Sequence, residues 1–457
     1  MELNTTLDIE EALRLIDEKK YSDLKGLLLK AEPADVAELY DELPEELYAV
    51  IFRLLPKEPA AAVFVELDPD KQQLLINSFT DKELKGILDE LYMDDTVDII
   101  EEMPANVVTR ILANTHPDDR AAINRLLEYP DDSAGSIMTV EYVSLRKTMT
   151  VREAFEHIRK VGLDSETVYT CYVTENRKLI GVVSVKTMLL SDPDAIIGDI
   201  METNVISAVT TDDQSEVADL ITRYDFLAVP VVDGEGRLVG IVTIDDAIDV
   251  IREEDDEDIA KMAAVTPDSK PYIKTSAAKI WLNRIPWLLL LMISATFTGI
   301  IISSFEDALG KMVVLTAFIP MLMDTGGNAG SQASVTIIRG ISLGEISFGD
   351  IIRVVWKEFR VSIMCGVTLA CATFGKVMLV DRLIMGNTDV SVFVALVVSV
   401  TLALTVVAAK LIGCSLPLLA KKLGFDPAVM ASPFITTIVD AVSLLLYFLL
   451  ATSLLGL

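Results

Sequence analysis

Five apolar stretches lie beyond residue 275, and each is long enough to cross a bilayer, for which a helix needs about 20 residues. They cover 286–304, 312–338, 352–380, 390–416 and 429–455. The charge lies elsewhere. Up to residue 275 the chain carries 27 Lys+Arg and 59 Asp+Glu, a net of −32; from 276 onward it carries 12 and 10, a net of +2. A strongly acidic soluble region is therefore expected to precede a membrane domain covering 276–457.

Loop charges predict the orientation. Lys274, Lys279 and Arg284 precede the first stretch, Arg339, Arg353, Lys357 and Arg360 surround the second connection, and Lys421 and Lys422 lie in the fourth. The first and third connections carry only Lys311 and Arg382 as bases. By the positive-inside rule the amino terminus is expected in the cytoplasm and the carboxyl terminus outside. The chain opens on an acidic, helix-forming sequence, so no signal peptide is expected. Cys171, Cys365, Cys371 and Cys414 are expected to serve packing, and two histidines are too few for a zinc site. Any metal site must be built from oxygen, which suits magnesium, calcium or manganese.

Residues 1–135 read as short amphipathic helices punctuated by Pro44, Pro56, Pro69, Pro104, Pro117 and Pro130, as in a small superhelical stack. Asp94, Asp95, Asp98, Glu101 and Glu102 form its densest acidic cluster. Asp94 and Asp98 share a helix face, as do Asp98 and Glu102; like charges at that spacing repel unless a cation sits between them. A solvated acidic face is the alternative.

Residues 136–197 and 198–244 read as two similar halves, each with a helix, two strands and a further helix. The helices are expected at 151–161 and 215–224, and the strand pairs at 169–173 with 179–185 and at 228–232 with 238–243. Asp233-Gly234-Glu235-Gly236 suits the second hairpin turn. The runs Phe226 to Val232 and Gly240 to Asp246 make this region similar to a tandem pair of cystathionine-β-synthase-type (CBS) domains, of α+β class. In that family the glycine, hydroxyl and acidic positions of the second run can bind an adenine nucleotide such as ATP; here they are Gly240, Thr243 and Asp246. The first half has Thr187 in place of the acid, so a nucleotide is expected in the second half if anywhere. A dimerising fold without ligand is the alternative.

The segment 245–275 opens on a helix, 245–262, with Asp246, Asp249, Glu253, Glu254, Asp255, Asp256, Glu257 and Asp258. A helix so charged is pushed from its neighbours unless cations screen it, and cation binding then supplies the energy difference a switch needs.

Charged groups inside a bilayer cost several kcal/mol, so the few present are functional candidates. Asp440 lies near mid-depth of the last stretch with Thr436, Thr437 and Ser443 close by, and no Lys or Arg follows residue 422. The second stretch contains Asp324, Thr325, Asn328, Ser331 and Gln332 among Gly326, Gly327 and Gly330. The glycines and Pro320 are expected to weaken that helix and to permit close packing. Polar groups at this depth must face protein or a water-filled path.

The run Pro320 to Gln332 and the arrangement Asp426-Pro427-Ala428, Ser432-Pro433 and Asp440 resemble the signature of the MgtE family of magnesium transporters, and the order of regions matches it over essentially the whole chain. The resemblance implies a homodimeric Mg2+ channel of the cell membrane, lined by the second and fifth spans. It places Asp440, with Asn328 and Thr436, at the ion path. It casts the acidic connecting helix as a plug that closes the path when cytoplasmic Mg2+ bridges Asp246, Asp249, Glu254, Glu257 and Asp258 to Asp94, Asp95 and Asp98. Transport of Co2+ or Mn2+ is an alternative, as is a membrane-anchored nucleotide sensor that transports nothing. A CBS-regulated chloride channel would need basic residues within the spans, where Lys376 and Lys410 are the only candidates and are expected near span ends. No phosphate-binding P-loop supports an ATP-driven pump, no catalytic motif supports an enzyme, and nothing suggests nucleic-acid binding.

Overall fold

The computed structural model describes residues 7–163, 165–268, 272–273 and 275–456. Lys274, one of the bases used to orient the chain, lies outside the described residues. The chain forms two compact units, residues 1–251 and 252–457.

Ten short helices, α1 (Ile9–Asp17) through α10 (Pro117–Leu126), open the first unit. The prolines punctuate as expected, in two ways. Pro33, Pro69 and Pro117 occupy the first helical turn, where a missing N–H costs nothing; Pro44, Pro56 and Pro104 occupy the preceding cap position. Tyr40, Phe64, Leu75 and Leu84 are almost fully buried between the helices. The eighth helix, α8 (Met93–Glu102), carries Asp94, Asp95 and Asp98.

Two three-stranded sheets follow. In the first, β1 (Tyr142–Arg146) leads to α11 (Val151–Val161), β2 (Thr167–Glu175) and β3 (Lys178–Ser184). Two short helices, α12 (Val185–Leu190) and α13 (Ile197–Ile200), lead into the second. There β4 (Ala208–Val209), α14 (Gln214–Tyr224), β5 (Ala228–Val232) and β6 (Leu238–Thr243) repeat the pattern. Each sheet thus holds one strand more than the sequence suggests. The added strand, β1 or β4, pairs parallel with the next strand across a helical crossover. The helix stack shares a continuous core with the second half, through Ala208, Val217, Val229 and Val242, while the first half keeps its own core around Val143, Cys171 and Val183.

The connecting helix α15 (Ile244–Met262) begins in the first unit and ends in the second. Then come α16 (Ala277–Ser304), α17 (Glu306–Lys311), α18 (Ile319–Ser342), α19 (Ile351–Lys376), α20 (Val392–Lys422) and α21 (Ser432–Leu455). Among the described residues four helical stretches are long and apolar enough to cross a membrane: those of α16, α19, α20 and α21. The fifth expected span, α18, has 24 residues, but its polar residues lower its hydropathy.

The glycines of α18 do not break it. They let it pack at backbone distance. A Cβ at Gly330 would meet Ile435 at 2.8 Å and the Ala409 carbonyl at 3.2 Å, and a Cβ at Gly413 would lie 2.2 Å from the Gly330 carbonyl oxygen. No side chain fits there, so α18 and α20 touch backbone to backbone. Cys371, expected to pack, is exposed, whereas Cys171 and Cys414 are buried. Lys410 is not near a span end: it is 6% exposed and lies twelve residues before the end of α20.

Candidate functional site

Two groups of oxygen ligands stand out, one in each unit. The first gathers on the amino-terminal turn of α8. Ligand oxygens of Asp94, Glu141 and Glu166 all lie within 4.8 Å of one another. Glu141 accepts a hydrogen bond from the Met93 amide at 2.9 Å. Thr243 donates to Asp246 at 2.6 Å, fixing that carboxylate on the first turn of α15.

The electrostatics of this cluster are those of crowded, buried like charges. Burial pushes the Asp94 carboxyl up to about 9, and the charges of Asp246, Asp95 and Glu166 push the same way. Burial, then Asp95 and Asp245, raises Glu166 to about 8. Asp95 is raised to about 6 by burial and by Asp246. Asp246 itself is raised to about 6, burial outweighing the Thr243 hydrogen bond. One oxygen of Glu166 is buried without a hydrogen-bond partner. Crowded carboxylates that repel one another, one of them with an oxygen short of a donor, fit a hard divalent cation.

Of the residues expected here, Asp94, Asp95 and Asp246 come together. Asp98 and Asp249 are exposed, and Glu254 is half-buried further along α15. Glu141 and Glu166 were not anticipated. Each immediately precedes a strand, and the parallel register of β1 and β2 pairs Tyr142 with Thr167, which sets the two glutamates side by side. Gly240 is enclosed by Met138 and Thr139, where a Cβ would meet atoms at 2.6 and 2.7 Å, so its missing side chain already serves packing.

The far end of α15 is tied differently from the screening by metal expected for it. Lys261 bridges Glu257 at 2.8 Å and Asp426 at 2.6 Å. Burial opposes the charge on Lys261, but the hydrogen bonds to Asp426 and Glu257 outweigh it and raise its pKa. Ser342, at the end of α18, donates to Asp258 at 3.1 Å, and burial raises the Asp258 carboxyl. Met262 packs against Ile338, Ala428 and Ala431. The chain thus supplies its own cation between two of its carboxylates.

The second group lies between α18 and α21. Asp324, Asn328 and Gln332 recur every four residues along α18, and all three are exposed, while Leu322, Gly326, Ala329, Gly330 and Ala333 bury the opposite face. Thr436 packs over Gly327, and Val439 over Gly326 and Gly330, which sets α21 against that helix. Asp440 follows one turn after Thr436, half-buried, with Asp324 the charge that acts on it. Among the described residues no lysine or arginine pairs with either aspartate. Thr436 and Thr437 donate to the Pro433 carbonyl at 3.0 Å, which leaves their oxygen lone pairs free. Ser443, expected on the same polar face, is fully buried against Gly326 and donates to Val439.

Family profiles match along the chain: a divalent cation transporter domain at 319–450, the MgtE intracellular N domain at 31–132, and CBS domains at 134–192 and 197–253. The chain is 37% identical to the magnesium transporter MgtE of Thermus thermophilus, over 100% of this chain and 99% of that one. It is 35% identical to that of Bacillus subtilis, over 98% of each. Among solved structures it resembles the cytosolic domain of the Mg2+ channel MgtE in complex with ATP, with 39% identity and a TM-score of 0.50, covering 54% of this chain and 100% of that one.

Proposed function

The chain belongs to the MgtE family of divalent cation transporters, and from that membership we propose that it carries Mg2+ across the membrane along α18 and α21. The observation that carries this path is the row Asp324, Asn328 and Gln332, uncovered on a helix whose neighbours are apolar membrane helices. Lipid cannot face such a row. A second copy of the chain would cover it and enclose a wet passage, with Asp440 and Thr436 of both copies at its walls. Aspartates that hold an ion through its water suit magnesium, which dehydrates reluctantly. The membrane potential supplies the drive, about 4.6 kcal/mol per 100 mV for a divalent cation.

Closure is assigned to cytoplasmic Mg2+ at the cluster of Asp94, Asp95, Glu141, Glu166 and Asp246. A cation there relieves the repulsion and holds the first turn of α15. The last turn of the same helix bonds Ser342 and Asp426 beside the proposed path. One helix thereby links the sensor to the gate. The amino terminus is assigned to the cytoplasm, and an adenine nucleotide to the second CBS half at Thr243 and Asp246, where it would compete with Mg2+ for the same carboxylate.

The test is Mg2+ flux into proteoliposomes, with internal Mg2+ low or millimolar. Influx that Asp440→Ala abolishes and internal Mg2+ suppresses supports path and sensor. Flux unchanged by Asp440→Ala moves the path elsewhere.

A further inference from the structure

In α15 only Arg252 and Lys261 are basic, and Lys261 stands in the last turn, where a cation is favoured. Its ammonium reaches two elements at once: Glu257, four residues back on the same helix, at 2.8 Å, and Asp426, four residues after the end of α20, at 2.6 Å. The Lys261 side chain is 24% exposed and that of Asp426 33%, so water screens this bridge less than an open surface pair. The second oxygen of Asp426, Oδ1, accepts from the Ala428 amide at 2.8 Å. Both oxygens of Asp426 are thus engaged, one by the ammonium and one by the backbone that turns into α21. That turn is itself tied to α18, where Ser334 donates to the Met430 carbonyl at 3.3 Å. With Met262 against Ile338 and Ala431, and Asp258 on Ser342, the last turn of α15 rests where the end of α18 meets the start of α21.

A metal ion bridging Glu257 to Asp426 would have to stand where the ammonium stands, and like charge keeps it out. A tethered cation also differs from a dissolved one in that it cannot be diluted away. We propose that Lys261 is a built-in latch, whose ammonium holds the last turn of α15 to the connection between α20 and α21 in the absence of metal and so supplies a part of closure that does not depend on Mg2+. Lys261 lies off the row assigned to the ion. It is a positioning residue that acts through Asp426 and the helix it anchors. The latch presupposes the closure assigned above to α15. It divides that closure in two: Mg2+ governs the first turn of the helix, and a fixed charge governs the last. Because the two contributions add, the latch sets how much work is left for Mg2+ to do.

Amide hydrogen exchange over residues 256–262 of the full-length protein, with Mg2+ chelated and then restored, tests the contact. Without Mg2+ the wild type should stay protected there. Lys261→Met, which keeps the apolar stem and removes the charge, should exchange about tenfold faster, the lower end of what a charge-assisted hydrogen bond gives. Added Mg2+ should slow it again, since Glu257 and Asp426 are then open to an ion. Lys261→Arg, which keeps the charge, should behave as the wild type. Wild-type protection that appears only with Mg2+, equal exchange in the wild type and Lys261→Met, or an Arg variant as fast as the Met variant would each overturn the proposal. The same variants in proteoliposomes test the gating role: with internal Mg2+ absent, Lys261→Met should pass about threefold more Mg2+ at first than the wild type. Wild-type flux that internal Mg2+ suppresses but Lys261→Met leaves unchanged overturns the latch alone. Wild-type flux indifferent to internal Mg2+ overturns the closure reading, and the role of the latch with it.

Discussion

The acidic cluster on α8 and the polar row on α18 use the same chemistry, carboxylate and neutral oxygen, in opposite ways. In the cluster, ligand oxygens from three residues crowd within 4.8 Å, Asp94 buried and Glu141 and Glu166 half-buried, the two glutamates set side by side by strand register. On α18 and α21 the carboxylates stand on separate helices and the row lies open along one face. A crowded, buried site strips and holds a cation. An open row, with room for the ion's water, lets it leave. On the proposed assignment of the two sites, spacing and burial rather than ligand type set how long the ion stays at each.

The sharpest way to break this contrast is to remove one side at a time. Asp440→Ala should cut Mg2+ flux by about 100-fold, a loss of about 2.7 kcal/mol at the ion's barrier, while thermal stabilisation of the protein by Mg2+ stays unchanged. If both fall together, the two sites are one. Gly413→Ala comes next. Its Cβ would meet the Gly330 carbonyl, so a loss of about 1–3 kcal/mol in membrane-domain stability is expected, read as a lower Tm in detergent. Gly375→Ala, with open space around it, should be neutral or slightly stabilising. Asp94→Asn with Glu166→Gln should do the reverse of a usual core change. Stability without Mg2+ should rise by on the order of 1 kcal/mol, because the amides are neutral without taking up a proton on folding, while the internal Mg2+ needed to halve the flux should rise about tenfold.

A pH dependence also follows from the cluster. Asp94 and Glu166 are raised to about 9 and about 8, so the folded chain keeps protons that the unfolded chain releases near pH 4. Stability without Mg2+ therefore falls as pH rises from about 4 to about 9. Mg2+ displaces those protons, so the Tm gain on adding Mg2+ should be larger at pH 8 than at pH 6. An equal gain at both would show that the cation binds elsewhere. Asp98→Asn, at an exposed position, should leave all of these readings nearly unchanged.

What could be read from the sequence followed the range of the interactions. The strands 228–232 and 238–243 match residue for residue, because alternation and a Gly-containing turn are local signals. Prolines marked the starts of six of the ten described helices of the first region for the same reason. Strand β4 is two residues long, too short to carry a pattern, and β1 gains its partner only across a helix. That crossover is also why Glu141 and Glu166 escaped notice: 25 positions apart and each isolated in sequence, they meet only through strand register. Asp440, Asn328 and Thr436 were conspicuous because each is a polar residue in an apolar stretch; their part in the ion path is a proposal. Lys261 was not, since one lysine in an acidic helix shows its role only once Asp426 arrives beside it.

The contact of Gly330 with Gly413 has a mechanical consequence. Two peptide backbones in touch cannot slide past each other without separating, so α18 and α20 must tilt as one piece. A thicker or thinner bilayer is met by tilt of whole helices. The height of the polar row against its neighbouring helix is therefore inherited from the backbone, and the spacing of its oxygens is preserved in membranes of differing thickness.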